Sequence, residues 1–233
     1  MRALLLATAP TAVQGWRVCD VTSPLHGAVG DGVVSDTAAI RGALASCDEV
    51  LLPAGRTFLT GPLNLTSNQR LNVQGTLLAS VNPSDYPLVL PMTGYGWGDD
   101  ENCFPPDVDK HKIIIGSMRY SPVLGSYNTS NVTVVGSGTV DGRGEIWWSN
   151  CTSCHYPPTN NSALCEIASR PKLLEFQFVK GLKVHGDTVG QALHLKDSPF
   201  WTLTPSYSED IYIANLRVTA PMDRIGNTDG VSE

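Results

Sequence analysis

The sequence predicts an all-β chain wound as a parallel β-helix, and three observations lead there. Short apolar runs of two to five residues recur from Val50 onward between turn formers, in a chain with 22 Gly, 16 Pro and only 16% charged residues. Two of the runs rhyme: Lys180-Gly181-Leu182-Lys183-Val184 and Glu209-Asp210-Ile211-Tyr212-Ile213 each place two apolar residues two apart, so Leu182 and Ile211 stand at matching positions. Hairpin signals are scarce, since neither Asp31-Gly32 nor Asp141-Gly142 lies between two matched alternating strands. A strand-turn unit that cannot bury its own apolar face stacks on its equivalent in the next coil, which a hairpin-built sandwich does not require.

The elements follow in order along one domain, since 233 residues suffice for one sizeable core and are short for two. Residues 1–15 read as a secretory signal, with Arg2 ahead of the apolar run Ala3-Leu4-Leu5-Leu6-Ala7 and small residues up to Gly15. Residues 16–233 make up the domain. Asp36 or Thr37 reads as the N-cap of a short helix over 37–46, the only helix the pattern supports. Strands are expected at Val50–Leu52, Thr57–Leu59, Leu63–Leu65, Arg70–Val73 and Thr76–Ala79. After an irregular insertion around 80–110 the pattern returns at Lys112–Ile115, Asn131–Val135, Thr139–Val140, Leu173–Val179, Gly181–Val184, Ala192–Leu195, Trp201–Thr204 and Asp210–Leu216.

Composition narrows the partners. The formal charge is -6 with no dense basic run, which disfavours nucleic acid, and no apolar window is long enough for a membrane-spanning helix. Sequons at Asn64, Asn128, Asn131, Asn150 and Asn160 suit a secreted glycoprotein. The cysteines Cys19, Cys47, Cys103, Cys151, Cys154 and Cys165 suit disulfides in an oxidising compartment, with their pairing left open. The last three are expected to close loops in a stretch with little to bury. Cys151-Thr152-Ser153-Cys154-His155 matches a haem-attachment string, but it overlaps the sequon at Asn150 and has no helical shell around it. A zinc ion on Cys151, Cys154, His155 and Cys165 would compete with oxidation. No cofactor and no metal is expected.

Several segments carry a resemblance. Gly27-Ala28-Val29-Gly30-Asp31-Gly32, Asp36-Thr37-Ala38-Ala39-Ile40, Leu51-Leu52-Pro53-Ala54-Gly55-Arg56 and Phe58-Leu59-Thr60-Gly61-Pro62-Leu63 open the chain. Gly138-Thr139-Val140-Asp141-Gly142-Arg143-Gly144, Arg170-Pro171-Lys172-Leu173-Leu174-Glu175-Phe176, Asp197-Ser198-Pro199-Phe200-Trp201-Thr202-Leu203 and Asn227-Thr228-Asp229-Gly230 follow in order. Together, over about residues 25–233, they resemble the polygalacturonase-like proteins of glycoside hydrolase family 28. The resemblance implies a right-handed single-stranded parallel β-helix, a secreted or cell-wall location, and metal-independent inverting hydrolysis of α-1,4 bonds in galacturonan, a pectic polysaccharide. The family's later Gly-Asp-Asp, Gly-His-Gly and Arg-Ile-Lys segments have no counterpart here, so the resemblance implies a helix truncated after its middle coils. Such a chain is expected to be inactive alone and prone to aggregate, and a monomer when extended.

The resemblance places Asp229 at the family's first acidic position, with a water-activating role. Asn227 would fix the turn or bond near the substrate, and Arg224 is a cation close by that could meet a carboxylate. A non-catalytic carbohydrate-binding or structural β-helix is the alternative, and a lyase a weaker third reading. Asp99 and Asp100 precede Asn227 and read as solvated loop acids rather than the missing pair. His185 reads as a structural or surface histidine in a coil turn, and His194 as pointing out of the core between Leu193 and Leu195. Trp201 is expected to pack beneath the neighbouring coil, and Glu175, Lys196 and Asp223 read as surface residues.

Overall fold

The computed structural model describes residues 15–89, 118–150, 168–221 and 228–232. The expected signal up to residue 14, Asp99 and Asp100, the strand expected at Lys112–Ile115, and Cys103, Cys151, Cys154 and Cys165 lie outside them.

Alternation of buried apolar and half-buried residues builds the strands. In Glu49–Leu52, Thr57–Thr60, Arg70–Val73 and Thr76–Ala79 every second side chain is buried, and each strand is too short to cover that face alone. The chain therefore winds as a right-handed parallel β-helix. Among the described residues an eight-stranded and a six-stranded sheet form its walls, and all their pairings are parallel. A small third sheet holds the antiparallel pair Leu88–Val89 and Met118–Tyr120.

Two strands are longer than expected. Leu124–Val135 and Leu174–His185 have 12 residues each, and they pair on both sides of a bend marked by left-handed residues, Asn128 at φ 51° and Phe178 at φ 54°. The sequence reads such a bend as a break. In the structure it turns one strand across a corner, so the first halves join Leu63–Asn64 and Leu203–Ser206 while the second halves join Arg70–Val73 and Tyr212–Ala214.

Register stacks like on like. Leu63, Leu124, Leu174 and Leu203 form one fully buried row, and Leu71, Val134 and Val184 form another. Lys183 pairs with Tyr212 and Val184 with Ile213, which puts Leu182 and Ile211 at the expected equivalent positions. Leu182 is buried and Ile211 is 40% exposed.

The helix Thr37–Ser46 buries Ile40, Ala43 and Leu44, as its spacing requires. Asp36 precedes it but makes no side-chain cap. Its carboxylate instead accepts the Val29 and Gly30 N–H groups at 2.6 and 3.1 Å and pins the preceding turn. A second helix, Glu145–Asn150, was not legible in the sequence, nor were the strands Val18–Asp20 and Asp31–Ser35. The strand expected at Trp201–Thr204 is found at Leu203–Ser206. A disulfide joins Cys19 of the first strand to Cys47 at the end of the first helix, 6.1 Å apart at Cα.

The corner between the two large sheets is a backbone-on-backbone contact. A Cβ at Gly75 would come within 2.7 Å of Arg56 O, and one at Gly138 within 2.7 Å of Val73 O and closer still to Gly75 O. Gly138→Ala is therefore expected to cost about 3 kcal/mol in urea unfolding. A loss below about 0.5 kcal/mol would show that the corner can open.

On the outer face of the six-stranded sheet, His194 is half-buried as the alternation predicts, and its Nε2 shares a 2.7 Å hydrogen bond with Thr219 Oγ1. Burial first, then Arg217 and Lys196, hold this imidazole below its usual range, while Asp141 and Asp197 pull the other way. An imidazole harder to protonate when folded takes its proton preferentially on unfolding. Its contribution is complete above the ordinary value of about 6.5 and is lost as pH falls below it. Denaturant midpoints are expected to drop between about pH 7.5 and 5, and to drop less in His194→Gln.

Candidate functional site

The site face is the outer side of one stack of strands. Its successive rungs are Leu63–Asn64, the start of Leu124–Val135, the start of Leu174–His185, Leu203–Ser206, and then the segment around Val231. Asp229 belongs to that last rung. Its carbonyl accepts the Thr202 N–H at 3.0 Å, the Ser232 N–H donates to Leu203 O at 2.9 Å, and Val231 bridges Leu203 in parallel. The Thr202 hydroxyl donates to Thr228 O at 3.3 Å. Asp229 is exposed, beside the rung that carries Trp201. Asn227 and Arg224 lie outside the described residues.

Next along the stack is a layer of cations and rings. Phe200 and Trp201 stack at 5.0 Å, the Lys172 ammonium sits 4.6 Å over the Trp201 ring, and the Arg170 guanidinium 4.9 Å over Phe200. Trp201 thus packs against the neighbouring coil, as expected of it. Burial lowers the Arg170 pKa to about 10, which leaves it charged at neutral pH. Burial also pushes the Lys172 ammonium down, while Glu175 holds it up.

Glu175 corrects the sequence reading. It was expected on the surface, and it is 3% exposed. Lys172 Nζ donates to its Oε1 at 2.7 Å and Arg119 Nη1 donates to its Oε2. The alternation was right, since Glu175 does face away from Leu174, but on a stacked coil the neighbouring rungs cover an outward side chain. A carboxylate between Leu174 and Phe176, three residues after Lys172, was the available signal for a buried ion pair. Lys196, by contrast, is a partly exposed residue, and its ammonium bridges Asp141 at 2.7 Å and Asp197 at 3.2 Å. His185 ends a strand rather than lying in a turn, with Nδ1 2.8 Å from Gly186 O and its ring against Tyr212.

A groove of about 700 Å³ lies on the same face toward the N-terminal coils. Asn64, Arg119, Gly125, Tyr127, Glu175 and Gln177 are among the residues that line it. Among the described residues, Cys19, His26 and Cys47 also lie close enough together to share a ligand, but both sulfurs are held in the disulfide.

Removing Glu175 takes away the acceptor that Arg119 and Lys172 share. Glu175→Met is expected to destabilise by about 3 kcal/mol, and Lys172→Met in that background to restore part of the loss. Additive losses in denaturant unfolding would show that the pair is not coupled.

Residues 45–232 match the family described as Glycosyl hydrolases family 28. A probable polygalacturonase of Vitis vinifera is 29% identical over 217 residues, covering 88% of this chain and 38% of the relative. A polygalacturonase of Persea americana is 28% identical, with 91% and 38% covered. The chain therefore spans about two fifths of the length of these curated relatives. Two solved structures share the fold. The exopolygalacturonase from Thermotoga maritima has a TM-score of 0.64 at 22% identity, over 87% of this chain and 47% of that one. The polygalacturonase from Erwinia carotovora has a TM-score of 0.56 at 19% identity, over 94% and 51%.

Proposed function

From the fact that the chain belongs to glycosyl hydrolases family 28, we propose that the protein hydrolyses the α-1,4-galacturonosyl bonds of pectin, with these residues supplying its N-terminal coils. The observation that carries this reading is Asp229, an exposed residue whose main-chain carbonyl docks it on the rung next to Thr202. Inverting hydrolysis needs a carboxylate to activate water and an acid across the scissile bond, about 6.5 to 9.5 Å away, to protonate the leaving oxygen. Asp229 takes the first role. Asn227, two residues before it, would fix its turn or bond to the substrate, and Arg224 would meet a substrate carboxylate, an attraction that a chain of net charge -6 has to supply locally.

The second role has no candidate among the described residues of this face. Glu175 lies on a rung two removed from Asp229, and its carboxylate is engaged by Arg119 and Lys172. We propose further that these 233 residues alone bind pectin without cleaving it, which keeps a non-catalytic carbohydrate-binding protein as the second reading. The Cys19–Cys47 disulfide supports secretion into an oxidising space.

The test measures reducing ends released from polygalacturonate. The chain alone is expected to release none. In a longer form that carries the acid, Asp229→Asn is expected to lower kcat by about a thousandfold or more with little change in KM. Turnover by the short chain that vanishes in Asp229→Asn would mean that an acid within it has been overlooked.

A further inference from the structure

The groove toward the N-terminal coils differs from the Asp229 rung in how its polar groups are used. It sits three strand spacings, about 14 Å, along the stack from Asp229, so a linear polymer lying along the helix axis over Asp229 continues into it. Its floor is Gly125, where a Cβ would come within 2.8 Å of Pro122 Cγ and 3.0 Å of Glu175 O. Its wall is aromatic. Tyr127 is 68% exposed and meets the Phe178 ring edge-on at 5.6 Å, and Phe178 is stacked in turn on Tyr207 at 5.1 Å. The stack fixes rings that would otherwise lose freedom on binding.

The charges are committed and the neutral groups are not. Glu175 accepts from both Arg119 and Lys172. Arg41, at the exposed rim, directs Nε and Nη2 to the Pro62 carbonyl at 3.1 and 2.6 Å, and its charge is screened by water. Among the described residues, the amide of Gln177, which lines the groove and is 8% exposed, makes no hydrogen bond. The buried hydroxyl of Ser121, also on the lining, has no partner either, and the same holds for Thr204 and Ser206 on the adjoining rung. Buried neutral donors and acceptors left open favour a ligand rich in hydroxyls, while the cations beside them are already engaged by Glu175 and the Pro62 carbonyl.

We propose that this groove binds an uncharged pyranose unit of the polysaccharide, stacked on Tyr127 and hydrogen-bonded by Gln177, in preference to a free galacturonate. The inference rests on the pectin-binding reading above and refines it, since the chain would then select polymer whose units are neutral or methyl-esterified at this distance from Asp229.

Calorimetric titration of the full chain, made in a host without N-glycosylation so that Asn64 on the groove stays bare, tests this. The probes are a methyl-esterified oligogalacturonate, the same oligomer de-esterified, and a neutral galactan oligosaccharide. At least one uncharged probe is expected to bind about tenfold tighter than the free acid, with little change between about 0.05 and 0.5 M salt. Whichever of the two binds tighter identifies the source of the unit. Gln177→Ala and the surface change Tyr127→Ala are each expected to weaken that binding about tenfold. Tighter binding of the free acid with a steep salt dependence, binding untouched by Tyr127→Ala, or no binding of either uncharged probe would each overturn the proposal. None of these outcomes bears on hydrolysis, which the reducing-end assay reads separately.

Discussion

Parallel strand pairing between coils is the interaction on which everything else here depends. A strand such as Thr76–Ala79 has no partner within its own coil, so its N–H and C=O groups are satisfied only by the coils on either side. That requirement fixes register without any help from side chains. Once register is fixed, each inward position repeats above itself, and a row such as Leu63, Leu124, Leu174 and Leu203 becomes a continuous core rather than four separate contacts. The outward positions are stacked by the same bonds, which is why Gly125, Glu175 and Thr204 form a row on the site face. A helical core would not impose this coupling. There, one side chain's neighbours are set by packing, and here they are set by main-chain hydrogen bonds.

The corners of the coil bring the backbones of successive coils into contact. At the corner between the two large sheets the backbones of successive coils touch, and Gly75 and Gly138 leave no room for a side chain. No insertion fits there without separating the coils. The turn after Asp141 is held as tightly, since a Cβ at Gly142 would come within 2.7 Å of Asp197 O and one at Gly144 within 2.7 Å of Ser198 O. In chain order the two longest intervals between strands of the large sheets, 80–123 and 142–173, each follow a strand of the six-stranded sheet and precede the strands that begin at Leu124 and Leu174.

The fold was legible because it is repetitive. Leu182 and Ile211 could be matched from spacing alone, and the 37–46 helix from its apolar pattern. What escaped the sequence was set by the third dimension. The bends at Asn128 and Phe178 put left-handed residues inside continuous strands, and a reading by runs cuts the chain there. Asp36 stands where a helix cap belongs, yet its carboxylate serves Val29 and Gly30, a choice between nearby N–H groups that local sequence does not make. Asp229 was placed by resemblance, since Asn-Thr-Asp-Gly alone reads as a turn. Arg119, Lys172 and Glu175 were not assembled at all, because Arg119 arrives from 56 residues away through the stacking of coils.

The charge arrangement follows from this geometry. Burying Glu175 on an outward row would be costly if the row were apolar, and pairing it with one cation would leave its second oxygen to be satisfied elsewhere. Two cations from different parts of the chain, Lys172 on the same coil and Arg119 from the strand Met118–Tyr120 of the small sheet, each take one oxygen. Lys172 also rests on Trp201, one rung nearer Asp229, so a single ammonium links the groove's acid to the aromatic layer beside the exposed carboxylate. The face is thereby divided into two regions by one residue. On the Asp229 side a carboxylate stands open to solvent, and on the groove side the carboxylate is closed off and neutral hydrogen-bonding groups are left open. A polymer laid along the axis meets these two environments in succession, so discrimination between charged and uncharged units can be built into a scaffold whose rungs are otherwise alike.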